Sequence, residues 1–329
     1  MTIDGHGSAP AGARLGAMAP AQSSLPSVID NRFVAIDGRP LADVRTDLRR
    51  IPSWKNAWSV VWLYAQTVAF IAIAVRLDHP ATWAITFVLM GRTHAQFTSL
   101  MHEAAHRLLF TNRRVNDFIG DWLLGFPVIT STPAYRRVHM AHHREEFGPE
   151  EPDIPLYANY PVSTASLRRK LLRDITGRTG LKLLRNQVRG FRSPDVRVRR
   201  TLWKMVAVQI VIVAAFAVAG HPLLYVILWV VPYLTLWRVI NRLRSIAEHG
   251  GLRADRDRRI TTHSVVQHRL ARFYLVPYNI GFHLAHHVDA GVPFRNLPRY
   301  HAMLRDARYV DDRYEYTSYR SLWRALSAA

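Results

Sequence analysis

The chain has 329 residues, of which 49% are hydrophobic, and its formal net charge at pH 7 is +20. It contains no cysteine, which excludes disulfides, thiolate-ligated haem and cysteine-ligated iron–sulfur clusters. Nucleic-acid binding would account for the charge. The basic residues, however, flank long apolar runs instead of forming one compact basic region, a pattern typical of membrane proteins. We therefore expect an integral membrane protein that binds no nucleic acid.

Residues 1–30 are predicted to form a disordered N-terminal tail, because the segment up to residue 27 is rich in Ala, Gly, Pro and Ser. This tail lacks a basic region followed by an apolar core, so we do not expect a cleaved signal peptide. Residues 31–329 are predicted to form a single domain.

Four apolar segments are predicted to be membrane-spanning helices, at about 57–76, 80–100, 203–219 and 222–240. Each is close to the roughly 20 residues that a crossing needs, and buried core helices are the alternative interpretation. Residues 205–237 carry no Asp, Glu, Lys or Arg, and one helix of that length would measure about 50 Å, too long for one crossing. Breaks at Asp78-His79-Pro80 and Gly220-His221-Pro222 therefore predict two helical hairpins.

Two hairpins place the N-terminus, residues 101–202 and everything after residue 237 on one side of the membrane. The outer turns carry few Lys and Arg, whereas 101–202 and the C-terminal region carry most of them, so we assign that side to the cytoplasm. The predicted fold is thus an all-α, multi-pass membrane protein, expected in a bacterial inner membrane, with both termini and a helical cap in the cytosol.

Nine of the 16 histidines fall into four groups: HEAAH at 102–106, HMAHH at 139–143, AEHGG at 247–251 and HLAHH at 283–287. Positions i, i+3 and i+4 share one helix face, so each box directs its imidazoles the same way. Neutral imidazole binds iron, zinc and copper well. Eight or nine converging imidazoles exceed the needs of one tetrahedral zinc, which favours two metal ions. Seven other histidines lack this spacing and are interpreted as non-ligands: His6, His79, His94, His221, His263, His268 and His301.

With its three boxes in this order around four spans, the AEHGG segment and the stretch HHVDAGVPFRNLPRYHAML, the chain from about residue 50 to 305 resembles the membrane fatty acid desaturase and hydroxylase superfamily. The resemblance implies a di-iron centre that activates O2 in order to remove hydrogens from an aliphatic chain and form a carbon–carbon double bond. By matching position, the iron ligands would be His102, His106, His139, His142, His143, His249, His283, His286 and His287. No fused cytochrome b5 is recognisable, so we expect a separate donor, a ferredoxin or a cytochrome b5-type protein.

Several alternatives stay open at this point. Hydroxylation, ketolation and oxidative decarboxylation share the histidine spacing, and the substrate is an acyl lipid, an acyl carrier conjugate, a free acid or a specialised metabolite. His102-Glu103-x-x-His106 also matches the zinc protease signature, which would leave both HxxHH boxes unexplained. A basic membrane protein that binds anionic lipid would explain the charge and not the histidines. Glu103, Glu248 and Asp153 are candidate acceptors for the N–H groups of the ligands.

Overall fold

The computed structural model describes residues 14–148 and 151–328. Every regular element in these residues is helical, and β-structure is limited to three isolated bridges, in agreement with the predicted all-α class. The α-helices are α1 (Ala42–Leu48), α2 (Ser53–Leu77), α3 (Pro80–His106), α4 (Arg113–Phe118), α5 (Thr132–Arg144), α6 (Ile154–Tyr157), α7 (Thr164–Ile175), α8 (Arg178–Arg189), α9 (Val196–Val218), α10 (Pro222–Tyr225), α11 (Val231–Leu234), α12 (Leu236–His249), α13 (Arg258–Thr261), α14 (Arg269–Tyr274), α15 (His283–Val288), α16 (Leu297–Asp306) and α17 (Tyr319–Leu326).

The chain divides into two compact units, each assembled from discontinuous segments. Among the described residues, the first unit comprises 52–136 and 170–241. The second comprises 14–51, 137–148, 151–169 and 242–328. The expectation of a single domain from residue 31 stays a prediction.

Two helical hairpins form the first unit, at the positions where the sequence predicts them. Helix α2 ends at Leu77, Asp78 adopts a left-handed conformation with φ of 43°, and Pro80 begins α3. The side chain of His79 caps α3, because its Nδ1 accepts a hydrogen bond from the Ala81 N–H at 3.1 Å. Helix α9 ends at Val218, and Gly220, with φ of 82°, reverses the chain before α10.

The outer turns of the two hairpins lie at the same end of the first unit. His221 Nδ1 is 4.0 Å from Asp78 Oδ1, so the two turns nearly touch. Below them, Ala74 from α2 packs with Phe216 from α9 and Leu224 from α10 in one buried apolar cluster. The turns that the sequence places on one face of the membrane are therefore neighbours in the fold.

Three helical stretches of the described chain are long and apolar enough to cross a membrane: Ala42–Leu77, Val196–Val218 and Pro222–His249. They contain the first, third and fourth predicted spans. The second predicted span, 80–100, lies within α3, which has 27 residues and is not among them. Its buried face includes polar side chains, and Arg92 Nη1 donates hydrogen bonds to Gln66 Oε1 at 2.8 Å and Gln96 Oε1 at 2.9 Å. The crossing by α3 stays a prediction.

The last apolar stretch is interrupted before it reaches its histidine. A π-helical turn occupies Val226–Val230, Pro232 follows in α11, and Thr235 leaves the helical region with φ of −119° and ψ of −85°. Proline removes a backbone donor from a helix interior, which accounts for a break at this point. Helix α12 then runs without interruption from Leu236 to His249.

The N-terminal segment from residue 14 packs within the second unit, which differs from the predicted disordered tail of 1–30. Gly16 N–H donates to Leu252 O at 2.9 Å and Met18 N–H donates to Gly251 O at 2.8 Å. Leu15 and Met18 pack against a buried apolar cluster that includes Leu252. Composition alone predicts that the conformational entropy cost of ordering this segment is not repaid. Burial of Leu15 and Met18 and the two backbone hydrogen bonds offset that cost. The predicted disorder of 1–13 lies outside the described residues.

Side-chain hydrogen bonds to backbone carbonyls join the other helices of the second unit. The side-chain amide of Asn296, which precedes α16, donates to Leu48 O at the end of α1 at 2.7 Å. Tyr300, fully buried in α16, donates its hydroxyl to Gly38 O at 2.8 Å. In α17, Trp323 Nε1 donates to Leu243 O of α12 at 3.0 Å. These bonds link α16 to α1 and to the segment before it, and α17 to the part of α12 that lies in the same unit.

We predict that Gly180→Ala destabilises the first unit. Position 180 lies in α8 so close to α11 that an added Cβ would overlap the Leu234 carbonyl oxygen and lie 2.7 Å from its Cα. Both obstacles are backbone atoms, so no rotamer relieves the overlap, and we expect a loss of about 1–3 kcal/mol. Thermal unfolding in detergent should show a lower midpoint for Gly180→Ala and little change for Leu181→Ala, whose side chain is exposed. Equal midpoints for Gly180→Ala and the unsubstituted protein would contradict the packing.

Candidate metal centre

The second and third histidine boxes lie on two helices of the second unit. Helix α5 carries His139, His142 and His143, and α15 consists of the third box and one further residue. His139 and His142 are buried, as are all three histidines of α15. Buried imidazoles are normally hydrogen-bonded or bound to a ligand. So many together need either a ligand that several of them share or protons shared between neighbouring rings.

One group of imidazole nitrogens is formed by His139, His143 and His286. His143 Nε2 lies 3.1 Å from His139 Nε2 and 3.0 Å from His286 Nε2. One N–H at His143 can donate to only one of these two neighbours. The three Nε2 atoms therefore point at one small volume. If only protons lay between them, two nitrogen lone pairs would still face each other.

A second group is centred on His283. Its Nε2 lies 3.0 Å from His249 Nε2 and 2.9 Å from His287 Nε2. His142, His249 and His287 also offer ligand atoms that lie within 4.8 Å of one another. The lone histidine at the end of α12 and the two HxxHH boxes are thus brought together as the sequence predicts.

Hydrogen bonds at the opposite ring nitrogens hold these imidazoles in a metal-binding tautomer. His142 Nδ1 lies 2.8 Å from Glu151 Oε1, His287 Nδ1 lies 2.5 Å from Glu146 Oε1, and His249 Nδ1 lies 2.8 Å from Thr261 O. Since each partner is an acceptor, Nδ1 carries the proton and Nε2 carries the lone pair. Metal-bound histidines show this pattern.

The separations fit a metal ion. Two nitrogens bound side by side to one ion at about 2.1 Å lie about 3 Å apart, as the Nε2 pairs do. The lone pairs of His249 and His287 both face His283 Nε2, whose single proton can satisfy only one of them. A cation satisfies them together, so the second unit has the donor set of a metal site.

The Glu151 carboxylate is the best-connected acidic group of the site. It accepts from the Phe147 N–H at 3.0 Å and the Asp153 N–H at 3.3 Å as well as from His142. Burial is the largest single influence on the pKa of Glu151 and raises it, but the hydrogen bond and charge of His142, together with the Phe147 N–H, lower the pKa overall. Burial lowers the pKa of His142, but the hydrogen bond and charge of Glu151, with the charges of Asp153 and Glu146, more than reverse this effect and raise the pKa to about 8. Each group thus stabilises the charged form of the other.

The first box lies in the other unit. His102 and His106 occupy the last turn of α3, with ring centroids 4.7 Å apart. His102 Nδ1 is 3.7 Å from Glu103 Oε1, and both side chains are buried. Seven predicted ligands therefore lie in the second unit and two in the first. The joint binding of metal by all nine stays a prediction.

Sequence reasoning missed Glu146 and Glu151 as partners of the ligands. The available signal was the acidic run after the second box, in which Glu146 lies three residues beyond His143. Of the predicted acceptors, Glu248 lies 3.7 Å from His283 Nδ1 and pairs with Arg244 at 2.9 Å. Asp153 lies within 4.8 Å of the ligand atoms of His142 and Glu151.

Six of the seven predicted non-ligand histidines lie in the described chain, and all have other neighbours. His79 caps α3 and His221 faces Asp78, while carbonyl oxygens or a carboxylate approach the rest: Trp229 O at His94, Gly250 O at His263, Thr317 O at His268 and Glu315 at His301. His6 lies outside the described residues.

Comparison with known proteins agrees with this geometry. The family model described as fatty acid desaturase matches residues 78–321. The chain belongs to the fatty acid desaturase family. It is therefore an oxidoreductase of lipid metabolism with desaturase relatives and apolar helices suited to a membrane.

Two curated desaturases are similar to the chain. One is the dihydrorhizobitoxine desaturase of Bradyrhizobium elkanii, 26% identical over 257 residues that cover 73% of each chain. The other is a Delta(5) fatty acid desaturase of Caenorhabditis elegans, 34% identical over 82 residues. The second match covers 24% of this chain and only 17% of the relative. By their names, the two relatives act on different kinds of substrate.

We predict that Glu151→Gln and Glu146→Gln weaken metal binding. Each exchange replaces a charged acceptor of a ligand N–H with a neutral amide, and loss of such support lowers metal affinity about 10- to 100-fold. The matched control is Glu145→Gln, because Glu145 is adjacent in sequence and exposed. Metal content after dialysis against a graded series of chelator concentrations measures the effect. Identical retention by all three variants would show that the carboxylates do not support the ligands.

Proposed function

We propose that the protein is an O2-dependent non-haem di-iron oxidoreductase that removes two hydrogens from an aliphatic chain and forms a carbon–carbon double bond. The observation that carries this proposal is the approach of Nε2 atoms to about 3 Å around His143 and His283. These two groups in the second unit suit two metal ions better than one.

The residues that would hold iron are the nine histidines of the boxes and AEHGG: His102, His106, His139, His142, His143, His249, His283, His286 and His287. When bound, the iron pair supplies O2 activation strong enough for an unactivated C–H bond. The chain's own part is to fix the imidazoles. Glu151, Glu146 and Thr261 accept hydrogen bonds from the Nδ1–H groups, which orients the three rings and leaves Nε2 as the metal-binding nitrogen.

Other outcomes within the superfamily differ in what happens after the first hydrogen is removed. Hydroxylation, ketolation and oxidative decarboxylation use the same ligand spacing. The names of the two relatives favour desaturation. A zinc protease built on His102, Glu103 and His106 is not favoured, because seven buried or partly buried histidines of the second unit would have no role.

An outside reductant is part of the proposal. The chain has no cysteine for an iron–sulfur cluster, and O2-dependent desaturation consumes electrons. We propose a separate ferredoxin or cytochrome b5-type donor. An acidic donor suits the net charge of +20, and its association rate would fall as the salt concentration rises.

For the membrane arrangement we propose four crossings, with both termini and the histidine boxes in the cytoplasm. An even number of crossings is supported by the two helical hairpins, whose turns at Asp78 and His221 are neighbours. The polar side chains of α3 are compatible with a crossing because Arg92 has protein partners within the first unit.

We predict about two iron ions per chain in the purified protein. His142→Ala and His286→Ala, one from each HxxHH box, should each retain at least about tenfold less iron and form no product, because each loses a nitrogen donor. His268→Ala is the control, since its exposed ring contacts Thr317 O. Elemental analysis and mass spectrometry of lipids and polar metabolites from expressing cells measure both effects. Full activity with one zinc ion per chain would refute the proposal.

We predict that Cys substituted at Asp78 or Gly220 reacts with a membrane-impermeant maleimide in intact cells. Cys substituted at Ala328, an exposed position, should react only after the membrane is opened. The natural chain contains no cysteine, so each variant reports a single position. Both turn positions are open: the Asp78 side chain is exposed and no heavy atom lies within 4 Å of a Cβ at Gly220. The reverse labelling pattern would overturn the proposed topology.

A further inference from the structure

A cavity of about 360 Å³ opens in the second unit beside the metal-ligand histidines. Its lining includes four arginines, Arg39, Arg45, Arg49 and Arg258, together with His143 and His287. One carboxylate, Asp289, lines it as well. The volume is that of a small-molecule site, but such sites are usually lined mainly by apolar side chains. Here positive charge predominates directly against two candidate metal ligands.

Asp289 does not neutralise the whole cavity, because its carboxylate is already bound. Arg49 donates to it through Nε at 3.1 Å and Nη2 at 2.6 Å, and the Gly291 N–H donates to it at 2.9 Å. The Asp289 side chain is only 5% exposed. A Cβ at Gly291 would lie 2.8 Å from Arg49 Nε, so this glycine allows the guanidinium to lie flat against the backbone.

Arg258 connects the cavity wall to a metal ligand. Its Nη1 lies 2.6 Å from Glu146 Oε1, the same oxygen that accepts from His287 Nδ1. Arg39 is 3.6 Å from Asp37, and both side chains are largely exposed. Arg45, in α1, makes no ion pair within the described part of the chain. Arg45 is therefore the arginine of the lining without an ion-pair partner among the described residues. Arg39, which also lines the cavity, has only the exposed contact with Asp37.

We propose that this cavity binds an anionic group, a carboxylate or a phosphate, carried by the substrate that is oxidised at the adjacent histidines. The guanidinium fork matches both groups, and hydrogen bonds between charged partners are the strong ones. A long apolar tail gains little from a lining dominated by arginine, so it would lie outside this cavity. The inference rests on the proposed function and narrows its substrate class to molecules with an anionic group near the reacting carbon.

The binding test uses sodium phosphate and sodium acetate as probes. Each is titrated calorimetrically into the full-length, detergent-purified protein at low ionic strength. We expect the unsubstituted protein to bind at least one of the two and Arg45→Gln to bind it at least about tenfold more weakly. Arg50→Gln is the matched control, because Arg50 is exposed, pairs loosely with Asp47 and is not part of the lining. Absence of binding, or equal binding by unsubstituted protein and Arg45→Gln, would overturn the proposal.

A second measurement decides whether the bound anion belongs to the substrate. Product per cell should fall at least about tenfold in Arg45→Gln and not in Arg50→Gln, at equal membrane level and iron content. Lost anion binding with unchanged product would overturn the substrate assignment. Failure of the proposed di-iron function would appear separately, as missing iron in the unsubstituted protein, and would leave the phosphate and acetate titrations unaffected.

Discussion

Nitrogen lone pairs repel one another, and the second unit nevertheless brings Nε2 atoms of different histidines to within about 3 Å at four places. Such proximity is stable only where a cation or a shared proton lies between the atoms. His143 and His283 each face two other imidazoles, and the single Nε2 proton of each ring can form a hydrogen bond with only one of them. The folded chain therefore has the donor set of a metal site, and many of the surrounding contacts support those donors.

The ligand imidazoles are held by residues outside the histidine boxes as well as by the helices that carry them. Glu146 and Glu151 follow the end of α5, outside any helix, whereas Thr261 is the last residue of the short helix α13. Each accepts a hydrogen bond from the Nδ1–H of a ligand ring. The connection is itself held by the buried cluster of Phe147, which the N-terminal segment helps to cover. The residues that support the ligand rings and the packing of the second unit are thus coupled.

The apolar helices of the first unit obey a different constraint. Breaks at Asp78 and Gly220 form hairpins because a left-handed residue followed closely by proline cannot continue a helix. Polar side chains on α3 are tolerated because Gln66, Arg92 and Gln96 bond to one another. Membership of the fatty acid desaturase family fits this division between apolar hairpins and a histidine-rich unit.

Elements with a local physical signal are predictable from the amino-acid sequence alone. Box spacing predicted which imidazoles share a helix face, and the turns at Asp78 and Gly220 ended helices where expected, because helical periodicity and proline geometry act over a few residues. Tertiary structure decided the rest. The pairing of Glu151 with His142, the packing of residues 15–19 against Leu252 and the cavity at Arg45 depend on segments far apart in the chain or without periodic spacing. Such contacts follow from packing between distant segments, for which a single sequence has no regular pattern.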